Sequence, residues 1–257
     1  MKEAPMALVI TGDGINCEKE TAAAFRRAGF DAEIRHLNDL IAEKRTIEWL
    51  GKNYAVLALP GGFSFGDDLT SGKVLALKIQ HGLGWDLPSF ARAGGLVFGA
   101  CNGFQALIKL GVFGRDVSIT RNRQGKFIDT WVRLDSADER CVWLRGTTQL
   151  DLPIRHGEGR IVFSPDEAGE SHRLAMKADG RVCLTYSGMD PNGSTDRIAG
   201  LCDETGRIFG LMPHPEAYVR ATAHPGWTAD TKDALERPGD GLAIFKNAYE
   251  EARRAAG

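Results

Sequence analysis

No two of the five cysteines form a CxxC pair, and their number is odd. Cys17, Cys101, Cys141, Cys183 and Cys202 are scattered along 257 residues, which argues against zinc-ribbon and thioredoxin readings. In a reducing compartment they are free thiols, and the ordinary free cysteine is a small buried apolar residue. No metal site is expected. Net charge is also scarce: 32 Lys plus Arg against 34 Asp plus Glu leave −2. Such a balance gives no footprint for nucleic acid or an anionic membrane surface. No apolar run approaches the roughly 20 residues that span a bilayer, and no basic region followed by an apolar stretch opens the chain. A cytoplasmic protein is expected. The GxxxxGK(S/T) phosphate loop is missing, and Gly12-Asp13-Gly14 alone is too weak to support a dinucleotide site. Repeats, low-complexity linkers and charge blocks are absent as well, so residues 1–257 are expected to form one domain.

Hydrophobic residues make up 43%, enough for a sizeable core. The first two-fifths alternates strand and helix signals. Ala7–Thr11, Ala32–Leu37, Tyr54–Leu59 and Gly95–Gly99 read as strands. Glu18–Ala28, Ser71–Ile79 and Asn102–Leu110 read as helices, with Gly29 as a C-cap and Asn38 as the N-cap of a further helix. This rhythm predicts an α/β fold with a parallel sheet covered by helices. From Val117 to about Met212 the pattern becomes short strands with turns between them. A hairpin is expected to join Ile198–Cys202 to Arg207–Met212 around Gly206. Ala221–Asp240 reads as polar loop and Leu242–Arg254 as a last helix.

Three features carry chemistry. The run Leu96-Val97-Phe98-Gly99-Ala100-Cys101-Asn102-Gly103 is a buried strand passing through G-x-C-x-G into a helix, a thiol version of the nucleophile elbow. Its helix places a positive end beside Cys101, an environment that suits a thiolate nucleophile. Met212-Pro213-His214-Pro215-Glu216 ends another apolar strand. The prolines exclude a helix interior, and an extended segment would put His214 and Glu216 on one side, as base and orienter. Pro60-Gly61-Gly62-Phe63-Ser64-Phe65-Gly66-Asp67 follows a third strand. Its glycines let backbone N–H groups face a cavity and, with the Asn102 N–H, form an oxyanion hole. Each feature alone has a bland reading as a tight turn, an inert thiol or a structural histidine. All three leave strand ends, where open α/β sheets bind ligands.

PGG, then GACNGFQ, then HPE, in this order, resemble the class I (triad-type) glutamine amidotransferases. GGFSFGD (Gly61–Asp67), CNGFQ (Cys101–Gln105), HGEGR (His156–Arg160), PNGS (Pro191–Ser194), IAG (Ile198–Gly200) and GLMPHPE (Gly210–Glu216) are similar to the branch that works in de novo purine synthesis. The resemblance covers essentially the whole chain. It implies that Cys101, His214 and Glu216 are the triad, that the Gly62 and Asn102 amides form the oxyanion hole, and that Gly61 and Gln105 help to hold the glutamine. It implies a mostly parallel seven-stranded open sheet with helices on both faces, of flavodoxin-like type. It also implies partners: a large synthetase subunit, which carries ATP and Mg and receives the ammonia, and a small accessory subunit. No cofactor is expected on this chain. Asp68-Leu69-Thr70 and Ala217 depart from the usual Tyr-Leu-Arg and Arg of that branch. A class I amidotransferase serving another acceptor, an elbow-cysteine hydrolase or peptidase-like protein, and a non-enzymatic binding subunit remain as rival readings.

Overall fold

The computed structural model describes residues 3–137, 140–229 and 237–255. The first half follows the expected alternation closely. It runs β1 (Met6–Thr11), α1 (Glu18–Ala28), β2 (Asp31–His36), α2 (Leu37–Ala42), α3 (Ile47–Asn53), β3 (Val56–Leu59), α4 (Lys73–Leu77), α5 (Leu87–Arg92), β4 (Leu96–Ala100) and α6 (Asn102–Lys109). Two details differ from expectation. Asn38 lies inside α2, and the cap is His36, whose Nδ1 accepts from Asn38 N–H at 3.1 Å. The helix expected over Ser71–Ile79 starts at Lys73 and passes into a π-helical turn over Lys78–Leu83.

The second half holds β5 (Val117–Arg121), β6 (Ile128–Ser136), β7 (Gln149–His156), β8 (Glu158–Phe163), α7 (Glu167–Ala178), β9 (Leu184–Tyr186), β10 (Ile198–Cys202), β11 (Ile208–Leu211) and α8 (Gly241–Ala255). Helix α7 stands where only strands and turns were expected. It buries little more than Gly169 and Met176, so it lacks a broad apolar stripe. Its signal was the cap: Asp166 accepts from Gly169 N–H at 2.8 Å, ahead of Glu167 and Glu170 in the first turn. The expected hairpin forms between β10 and β11. Residues 221–240 contain two single-turn 3-10 helices, Ala221–Ala223 and Trp227–Ala229, and positions 230–236 of that expected loop lie outside the described residues.

Among the described residues the main sheet has nine strands, not seven, in the order β2-β1-β3-β4-β11-β10-β9-β6-β7. From β2 to β11 every pairing is parallel. From β11 to β7 every pairing is antiparallel, so the hairpin reverses the chain and the long β6–β7 ribbon extends the edge. The strands β5 and β8 pair separately.

Both faces of the parallel half are covered, as continuous apolar strands require. On one face α1 and α8 pack Phe25 and Phe245 edge-to-face at 4.9 Å, over Val9, Ala58 and Phe98. On the other face α4 and α6 bring Leu75, Phe104 and Leu107 onto Leu8, Leu57 and Val97. No helix among the described residues is long and apolar enough to cross a membrane.

Candidate active site

Strands β3, β4 and β11 are neighbours in the parallel half, so their carboxyl ends open side by side. Gly61 and Gly62 follow β3, Cys101 follows β4, and His214 follows β11. Topology alone therefore gathers three segments that are distant in sequence.

The elbow is a strained turn. Cys101 adopts φ 49° and ψ −105°, a conformation L-residues rarely hold, with its N–H fixed to Leu211 O at 2.8 Å. It persists because α6 is pressed onto the strands beneath it. A Cβ on Gly103 would stand 1.8 Å from the Leu59 carbonyl oxygen, so only glycine permits this approach. The first intrahelical bond of α6 runs from Gln105 N–H to Cys101 O at 2.9 Å, and the Asn102 N–H precedes it without an acceptor inside the helix.

His214 is buried, and its backbone N–H donates to Pro153 O of β7 at 2.9 Å. Its Nδ1 lies 2.6 Å from Glu216 Oε1. The pair forms differently from expectation. Pro215–Ala217 is a single 3-10 turn, not an extended segment, and the turn carries the carboxylate back beneath the ring. Proline's fixed φ suits the first position of such a turn. Burial opposes a charge on His214, but the Glu216 carboxylate and Cys101 outweigh it and hold the imidazole well above the usual histidine range. Its Nε2 is buried without a hydrogen-bond partner. The Cys101 thiol donates to Arg155 O at 3.6 Å.

A cleft of about 150 Å³ joins these groups, lined by Cys101, His214, Cys17, Gly62, Phe63 and Phe127 among others. Gly62 has φ 147°, and a Cβ there would meet Gly14 O at 2.7 Å. A Cβ on Gly61 would strike His214 Cε1 at 2.7 Å, so the PGG turn leaves its backbone against the ring.

Gln105 is buried with both ends of its amide engaged. Its Oε1 accepts from Asn102 Nδ2 at 2.9 Å, and its Nε2 donates to Glu158 O at 2.5 Å. Asn102 in turn accepts from Ser64 N–H at 3.1 Å and donates to Asp67 Oδ1 at 3.0 Å. The elbow, the loop after β3 and the HGEGR segment are thus tied by one amide network.

Sequence reasoning missed Cys17, Phe63 and Phe127 as lining residues. Cys17 lies next to the His214–Glu216 pair: its Sγ, a His214 ring nitrogen and a Glu216 oxygen all fall within 4.8 Å of one another. Burial pushes its thiol above the usual cysteine value, the neighbouring His214 ring works against that, and Glu216 adds to the rise. No short motif marks it, because it reaches the site from the start of α1 through the Ile15–Gly62 bridge. Phe63 and Phe127 are exposed, with ring centroids 6.4 Å apart.

The chain can be compared with known proteins on this basis. The family model of the CobB/CobQ-like glutamine amidotransferase domain matches residues 4–250. A phosphoribosylformylglycinamidine synthase subunit PurQ of Dehalococcoides mccartyi is 39% identical, over 96% of this chain and 97% of that one. A PurQ subunit of Methanococcus maripaludis is 38% identical, over 97% of this chain and 98% of that one. Among solved structures, a chain of PurLQS from Thermotoga maritima superposes with a TM-score of 0.74 at 30% identity, covering 96% of this chain and 99% of that chain. A family model that matches residues 4–250, with relatives 38–39% identical over nearly the full length, places this chain in the CobB/CobQ-like glutamine amidotransferase domain family.

Proposed function

We propose that this chain is the glutaminase subunit of a phosphoribosylformylglycinamidine synthase, a cytoplasmic enzyme of de novo purine synthesis. The observation that carries the reading is the buried His214–Glu216 pair beside the Cys101 elbow, within a chain similar end to end to PurQ subunits. Cys101 is the nucleophile. Its thiol proton passes to His214 Nε2, and the thiolate sulfur adds to the side-chain carbonyl carbon of glutamine. The oxyanion that forms is met by the Gly62 and Asn102 N–H groups. The C–N bond breaks as His214 returns the proton to the departing ammonia, which leaves a γ-glutamyl thioester. Water, deprotonated by His214, then adds to the thioester, the C–S bond breaks, and glutamate is released. Glu216 holds the ring through Nδ1 and stabilises the imidazolium at both steps.

Gly61 shapes the glutamine site by leaving room for the ring. Gln105 contributes by holding Asn102 and the Glu158 backbone, and so the wall of the site, in place. Ammonia passes to a large ATP- and Mg-dependent synthetase subunit, with a small accessory subunit completing the complex.

The test is reconstitution with the synthetase partner. Cys101→Ala should abolish amidine formation from glutamine and leave formation from concentrated ammonium intact. Loss of both routes from an assembled complex would refute the division of labour. Ammonia delivery to a different acceptor would refute the pathway and leave the glutaminase chemistry standing.

A further inference from the structure

Away from the catalytic cleft, three of the five cysteines meet. Cys141 precedes the 3-10 turn Val142–Leu144, Cys183 leads into β9, and Cys202 ends β10. All three are fully buried free thiols, and their Sγ atoms lie within 4.8 Å of one another. We propose that this trio is a binding site for one soft d10 cation of the Cu(I) type, held by three thiolates.

The geometry is close to what such an ion needs. A metal–sulfur bond of about 2.3 Å puts three sulfurs around a trigonal centre about 4 Å apart, so small side-chain adjustments close the site. Each ligand sits on pinned backbone. Cys202 N–H donates to Arg181 O at 2.9 Å, Ala137 N–H to Cys183 O at 3.0 Å, and Leu144 N–H to Cys141 O at 3.0 Å. The trio therefore comes from three elements already fixed relative to one another, which lowers the ordering cost of binding.

The donor set selects the metal class. Three thiolates with no imidazole or carboxylate among them favour a soft monovalent ion over zinc, which commonly takes four ligands. Binding must release the thiol protons and leave net negative charge. One guanidinium group is placed to offset part of it. Arg140 is held by the carbonyls of Asp179 and Glu204, and its charge acts on Cys202 against that of the Asp203 carboxylate. Arg181 is already paired, its Nη2 donating to Asp179 Oδ2 at 2.9 Å. A cavity of about 280 Å³ reaches Cys202, with Arg181, His172 and Asp203 in its wall, and provides the entry path.

The site is separate from the glutaminase centre. β10 runs antiparallel to β11, so Cys202 lies at the opposite end of the sheet from His214. Occupancy should leave glutamine hydrolysis unchanged.

The experiment uses the full, reduced chain under anaerobic conditions, with Cu(I) delivered from a bicinchoninate complex. One equivalent should transfer to the protein, and X-ray absorption should find three sulfur neighbours and no nitrogen. Binding should survive Cys17→Ser combined with Cys101→Ser, and weaken at least 10-fold in Cys202→Ala. Failure to compete with bicinchoninate overturns the proposal, as does binding lost with Cys17 and Cys101. Nitrogen neighbours would move the ion to His214 and overturn it equally. The absorption measurement on the unaltered chain decides the matter even where Cys202→Ala unfolds. A disulfide within the trio under anaerobic reduction would also refute it.

Discussion

Glu216 stands almost wholly buried, and its one hydrogen-bonding oxygen is spent on His214. Glu216→Gln keeps the shape but removes the charge that favours the imidazolium. Glutamate release should fall by about two to four orders of magnitude, less than for Cys101→Ala. Near-normal turnover in the folded variant would remove Glu216 from the triad. Cys17 and Cys101 offer a contrast in the same cleft. A glutamine analogue with an electrophile at the amide carbon should alkylate Cys101 and spare Cys17, whose thiol is held protonated by burial. Peptide mapping decides this, and label mainly on Cys17 would reverse the assignment. His156 gives a pH signature. Asn122 Nδ2 donates to His156 O and Lys126 O, so Asn122 Oδ1 is the acceptor and His156 Nδ1 carries the proton. The other ring nitrogen, Nε2, is buried without a partner. Burial, helped by the charge of His214, holds this histidine down to about 4. The unfolded chain takes up a proton below its ordinary value of about 6.5, and the folded chain resists until about 4. Stability should therefore fall as pH drops through that window, by up to about 3 kcal/mol. Urea denaturation at several pH values should find that slope reduced in His156→Gln; an unchanged slope would assign it elsewhere.

At the scale of elements, the elbow and the loop after β3 behave as one unit. Phe65, Asp67 and Leu69 in that loop all hold positive φ, and Asn102 accepts from one loop amide and donates to one loop carboxylate. Asn102→Ala should release the loop, costing about 1–3 kcal/mol for the partners left unpaired and raising KM for glutamine. A variant with unchanged melting temperature and KM would contradict that coupling. Much of this frame was legible in the sequence: β1, α1, β4 and α6 lie within a residue or so of their expected bounds, because apolar runs with glycine turns leave few alternatives. The proximity of Cys101 and His214 was legible from G-x-C-x-G and HPE following strand ends, whereas the 3-10 turn that brings Glu216 to His214 was not. Cys17 was not, because what brings it to His214 is a bridge to a loop distant in sequence. Helix α7 escaped because it buries so few residues, and the nine-strand sheet because β6 buries only Leu134 fully and joins β7 to the far edge of the order.

For the whole molecule, the Cys101 thiol donates to a backbone carbonyl rather than to His214. Phe63, Leu69 and Phe127 are exposed, and two of them line the cleft mouth. On the proposed function, a synthetase docked at these residues is expected to turn the thiol toward the ring. Glutaminase activity of the isolated chain should accordingly be low and rise at least about 10-fold on complex formation, in kcat more than in KM. Equal turnover with and without the partner would contradict this. A last consequence follows from β4 lying between β3 and β11. During synthesis the ribosome delivers Cys101 and its elbow early, while the strand that completes their neighbourhood emerges far later, when Ile208 can meet Val97. A nascent or truncated chain thus presents Cys101 without His214, and under the proposed mechanism it should release no ammonia until translation is nearly finished.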